Sequence, residues 1–145
     1  MNWRERITEA YRRRESQSVP ASPEFQPGAP EDALQEAERA LGQRLPEDLR
    51  ALLSESDGVL EVLEIEGERI ESLWILWTTE EIVQNQNDTF LFFGSVGTDG
   101  ILFGYDRTEN TGQIWAWHPM ESRRQLVGES LAEFLYGWIG GSVAV

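Results

Sequence analysis

The apolar residues of this chain change their period near residue 58, and that change limits the folds open to it. Before it, Leu34, Ala37 and Leu41, and then Leu49, Leu52 and Leu53, recur at helical spacing. After it, Leu63 and Ile65 alternate with Glu64 and Glu66, as along a half-buried strand. Leu73 to Trp77 is a continuous apolar run, the pattern of a central strand. Helical spacing returns at Leu131, Phe134, Leu135 and Trp138, behind a capping box formed by Ser130 and Glu133. The order is helices, strands, a helix, strands, a helix. It predicts a single-domain α+β fold rather than strict βαβ alternation: a twisted mixed or antiparallel sheet of about 4–6 strands, with N-terminal helices, a mid-chain helix and a C-terminal helix packed against it.

The remaining elements follow from local signals. Trp3, Ile7 and Tyr11 form one stripe of a first helix over residues 2–15. Residues 16–30 contain Pro20, Pro23, Pro27 and Pro30 with several serines, which reads as an extended strap without regular structure. A second helix spans 31–41, with Pro30 at its start and Gly42 at its stop. A third starts at Pro46 and ends at Asp57-Gly58. Thr78 and Glu81 have capping-box spacing for a short helix over 79–86. Phe90–Phe93, Ile101–Tyr105 and Gln113–Trp117 form an antiparallel meander, and a short extended piece includes Leu126 and Val127. Residues 1–145 thus form one domain, with 1–29 as a helical extension and strap and 30–140 as its core.

Charge narrows the choice of partner. The net charge is −14, every basic residue is an arginine, and there is no cysteine. Residues 1–14 hold five arginines against two glutamates, so the rest of the chain carries −17. Such a surface repels phosphate backbones, which disfavours nucleic acid, and steers a basic protein. No apolar run is long enough to cross a bilayer and the N-terminus lacks the apolar segment of a secretion signal, so the expected location is cytoplasmic.

Catalytic devices are not legible. The lone His118 has no cysteine to activate and no nucleophile elbow beside it. Gly94–Gly100 lacks the spacing of a phosphate loop and reads as a hairpin turn at Asp99-Gly100. No metal-ligand spacing is present, and no cofactor is expected. The densest acidic stretch is Glu61, Glu64, Glu66, Glu68 and Glu71, a pattern that suits either a solvated strand face or a protein-binding edge. Trp115 and Trp117 fall on one face of a strand and serve as core or as an exposed hot spot. These seven residues are the candidates for partner binding.

The ordered motifs resemble a known family. Leu41-Gly42-Gln43-Arg44-Leu45-Pro46, followed by Leu52-Leu53 and Asp57-Gly58-Val59, is similar to the signature of the SUKH superfamily of the Smi/Knr type. Trp74-Ile75-Leu76 with Thr79-Glu80-Glu81-Ile82, then Phe93-Gly94-Ser95 and Phe103-Gly104-Tyr105-Asp106, continue the likeness, which covers residues 30–140. The resemblance implies an α+β fold without a shared catalytic site. It implies an immunity protein that neutralises a toxin, often a nuclease, passed between competing bacterial cells. The alternative it implies is a non-enzymatic scaffold with an endogenous protein partner, as in fungal members.

Overall fold

The computed structural model describes residues 2–14 and 19–145. Ser16 and Ser18 of the expected strap, and the last position of the expected first helix, lie outside the described residues. Helix α1 (Trp3–Arg12) begins where the Asn2 side chain accepts a hydrogen bond from Glu5 N–H. Its second anchor, Glu55, comes from 51–52 positions downstream in sequence. The Glu55 carboxylate accepts the N–H groups of Trp3 and Arg4 at 3.0 and 3.1 Å, and the Arg4 guanidinium donates back to the Glu55 carbonyl. The donors left free at a helix start are thereby satisfied, and negative charge sits at the positive end of the helix.

The strap is more ordered than its prolines suggest. Residues Ala21–Phe25 form strand β1, paired antiparallel with β2 (Val59–Ile65), with Pro23 opposite Glu61. Proline is tolerated because β1 is an edge strand, where a missing N–H need cost no ladder bond. The strap then crosses the end of α3 (Glu47–Glu55): Ala29 N–H donates to Leu53 O at 2.9 Å and Asp57 N–H to Pro27 O at 3.0 Å. Gly28 is required at this crossing, since a Cβ there would lie 2.0 Å from Ser54 O. Between strap and α3, helix α2 (Glu31–Leu41) ends on Gly42 in the left-handed region, as its sequence predicts.

The expected α+β fold holds, with seven strands among the described residues divided into two antiparallel ladders where one sheet of about 4–6 strands was expected. The first is β1-β2-β3, with β3 at Glu68–Leu76. The second is β4 (Phe90–Ser95), β5 (Leu102–Asp106), β6 (Ile114–His118) and β7 (Arg123–Gly128), in that order. Trp77 N–H donates to Phe93 O at 2.8 Å and ties the end of β3 to β4. Helix α4 (Thr79–Gln84), capped by Thr78, makes the connection. Helix α5 (Leu131–Gly140), capped by Ser130, packs Phe134 against Phe93 and Phe103.

One core runs through all of this. Trp3, Ile7 and Tyr11 of α1 belong to the same buried cluster as Leu49, Phe93 and Phe134. The extension at the N-terminus is therefore packed into the domain, not appended to it. No helix among the described residues is long and apolar enough to cross a membrane.

Candidate partner-binding surfaces

The acidic stretch folds into the outer half of the β2–β3 hairpin, where every residue from Glu64 to Ser72 is exposed. Its turn has positive φ at both central residues, Glu66 (53°) and Gly67 (79°), the two-residue geometry that matches strand twist. Glycine adopts this readily; a glutamate there costs on the order of 1 kcal/mol. Glu66 thus occupies the tip despite the backbone preference.

The five glutamates do not act alike. A bulge between Leu60 and Val62 sets the local register, and Glu61 turns toward α1. The Tyr11 hydroxyl donates to its carboxylate at 3.0 Å, and Arg14 lies 3.4 Å away. Burial first, then the negative charge of Glu61, pushes the Tyr11 phenol far up from its ordinary value. Glu61 is a tether between helix and sheet. Glu71 shares Arg69 with Glu24. Glu64, Glu66 and Glu68 have carboxylates with no partner among the described residues.

Two apolar residues sit among them. Register places Leu63 opposite Ile70 and Ile65 opposite Glu68, so Leu63, Ile65 and Ile70 share one face. Ile65 and Ile70 are each 39% exposed. Glu68 shares that face, whereas Glu64, opposite Arg69, lies on the other; an exposed apolar pair beside charge suits a protein contact.

Trp115 and Trp117 lie on the other sheet, at the opposite end of β3 from the hairpin tip. The structure does not join the two groups into one patch. The ten residues from Glu68 to Trp77 span roughly 30 Å of chain. Both indoles are half-buried on the sheet face away from Phe134. Trp117 rests on Phe90 at 5.7 Å, and the Arg124 guanidinium lies over Phe90 and Trp115 at 4.6 and 5.0 Å.

Arg124 also bonds Asp106 at 2.7 Å, and Thr108 donates to the same carboxylate through its N–H and hydroxyl. The Arg124 hydrogen bond, with Thr108 behind it, holds the Asp106 carboxyl down at about 2. A carboxyl depressed in the folded state stabilises the protein above its unfolded value near 3.8. That stability, up to about 2 kcal/mol, is lost as pH falls from about 4 to 2. Asp106→Asn removes this dependence. Urea midpoints across that range should fall less steeply for the variant than for the wild type, while parallel slopes would show that the pair contributes nothing.

A third region gave no local signal in the sequence. A cleft of about 1140 Å³ opens between the first turns of α3 and the β5–β6 loop, residues 106–112. Asp48 stands on one wall and Tyr105 on the other, 57 positions apart in the chain.

His118, the lone histidine, is buried, and its Nε2 lies 3.0 Å from Gln125 Oε1. Gln125 spends its own N–H on Ala144 O, so Nε2 is the donor to it and the ring helps hold the C-terminal segment. Among the described residues no group of three acidic, histidine or cysteine side chains is placed to hold a metal ion.

A family model described as SMI1 / KNR4 family (SUKH-1) matches residues 28–137. The match spans most of the chain, from the strap that crosses α3 to the last helix, and the chain belongs to that family. A search of curated proteins finds no significant match.

Proposed function

From that membership and the charge of the β2–β3 hairpin, we propose that the protein is an immunity protein that neutralises a bacterial toxin. The reading best suited to the charge is that the toxin is a nuclease. A nuclease must present a basic surface to the phosphates of its substrate. A protein of net charge −14 is drawn to that surface at long range. One observation carries the reading: on the exposed hairpin Glu68 shares a face with Ile65 and Ile70, Glu66 sits at the tip and Glu64 on the other face, and none of the three carboxylates has a partner among the described residues. The charges orient and accelerate the encounter, and the isoleucines supply contact area once water is displaced. Inhibition needs no chemistry of its own, since covering a toxin's substrate cleft suffices.

The test is co-expression with the product of a toxin-like gene found next to this protein's own. Cells are expected to survive, and the purified pair to bind more weakly as salt rises. Unprotected cells together with no binding at any salt would overturn the reading.

The scaffold reading rests on one different observation. Arg12 and Arg13 at the end of α1 have side chains 74% exposed and share Glu9. They form a basic spot on an acidic protein. Deleting α1 cannot test it, because Trp3, Ile7 and Tyr11 are core residues. Arg12→Gln with Arg13→Gln leaves the core intact, and loss of an endogenous partner in that variant would favour the scaffold.

A further inference from the structure

The Tyr105 hydroxyl is buried without a hydrogen-bond partner among the described residues, in a residue only 6% exposed. A buried hydroxyl left unpaired costs about 1–3 kcal/mol, so a folded protein rarely keeps one without use. Tyr105 lines the cleft between α3 and the β5–β6 loop, as does Asp48; burial first, then the Asp48 charge, pushes the Tyr105 phenol far up from its ordinary value. The ring itself is fixed, packed 5.7 Å from Phe93.

The cleft is acidic. Its lining holds six carboxylates against three arginines, which leaves it attractive to cations. Two of the arginines are already committed. Arg50 is bound by Glu31 and Glu38 at 2.6 and 3.3 Å. Arg107 donates to Gln43, Asn87 O and Leu41 O. Only Arg44 is exposed and unpaired among the described residues. Glu47, Asp48 and Glu109 are exposed and form no ion pair among the described residues. At about 1140 Å³, the open cleft exceeds the usual site for a small molecule, roughly 300–1,000 Å³, and accommodates a stretch of peptide.

We propose that this cleft receives an arginine-bearing segment of the protein partner, with a guanidinium N–H donated to the Tyr105 hydroxyl oxygen and its charge met by Asp48. The proposal deepens the immunity reading, in that it rests on the partner being a basic protein, and it gives that partner a second point of attachment away from the hairpin. Arginine fits better than lysine: its planar fork reaches two acceptors at once.

The test needs no toxin. The whole protein is titrated at low salt with an acetylated, amidated tetra-arginine peptide, by calorimetry. Wild type is expected to bind, and Tyr105→Phe and Asp48→Asn each to weaken binding about ten-fold. Glu121→Gln, in the exposed β6–β7 turn and outside the cleft, should leave that affinity unchanged. Tyr105→Phe keeps the ring and removes only the unpaired hydroxyl, so its melting temperature should equal or exceed the wild type's. Absence of peptide binding, or wild-type affinity in Tyr105→Phe, overturns the proposal. A cleft that binds peptide in a protein that fails to protect cells would leave this inference standing and remove the immunity reading.

Discussion

Phe134→Ala is expected to lower stability by about 3–5 kcal/mol, a large part of the roughly 5–15 kcal/mol that holds a domain of this kind together. Phe134 has no exposed surface. Its ring lies 4.6 Å from Phe103 and 5.8 Å from Phe93, so it joins two strands of the four-stranded sheet to α5. The strand beside it cannot close the gap by moving in freely. Gly128 of β7 already touches the start of α5, where even a methyl group would lie 2.8 Å from the Phe134 Cβ. Truncation therefore leaves a cavity, and the lost transfer energy adds to the cost of that void. The melting temperature should drop by about 10 °C or more. Tyr136, two residues on and 38% exposed, is the control: Tyr136→Ala should cost about 0.5 kcal/mol. Equal effects at the two positions would mean that α5 does not pack as described.

That aromatic cluster was largely legible in the sequence. The spacing of Leu131, Phe134 and Leu135 marks the buried face of α5, and the caps form where spacing predicts: the Thr78 and Ser130 hydroxyls accept from the N–H groups of Glu81 and Glu133. Such features depend on residues a few positions apart. What stayed hidden depends on residues far apart. Ala21–Phe25 reads as a proline-rich strap because nothing nearby says that β2 will pair with it. The division into two ladders depends on where β3 meets β4, at Trp77 and Phe93. Glu61 looks like one more solvated glutamate until Tyr11, 50 positions earlier, donates to it. Asp48 looks like a favourable charge in the first turn of α3, which it is, while its position opposite Tyr105 is set by the tertiary fold alone. The acidic run itself was visible, but not that three of its five carboxylates lack partners among the described residues.

Those three carboxylates give the second large effect. Glu64→Lys, Glu66→Lys and Glu68→Lys, made together, should weaken binding to the toxin by about 10²–10³-fold, equivalent to roughly 3–4 kcal/mol. The side chains are exposed and bond nothing among the described residues, so folding has little to lose. Glu66 keeps the same left-handed backbone as lysine, so no strain is relieved or added there. The loss should appear mainly in the association rate, because charges at the rim act on the encounter before contact. Ile65→Ser with Ile70→Ser should instead act on the dissociation rate, since apolar contact forms only in the docked complex.

The central claim is that an acidic hairpin binds a basic toxin surface. The most direct measurement is the association rate of the toxin with the wild type and with the triple lysine variant as salt is raised. The wild-type rate should begin high and fall steeply, and the variant's should be low and nearly flat, so that the two converge at high salt. Two rates that fall in parallel, separated by the same factor at every salt concentration or by none, would contradict it.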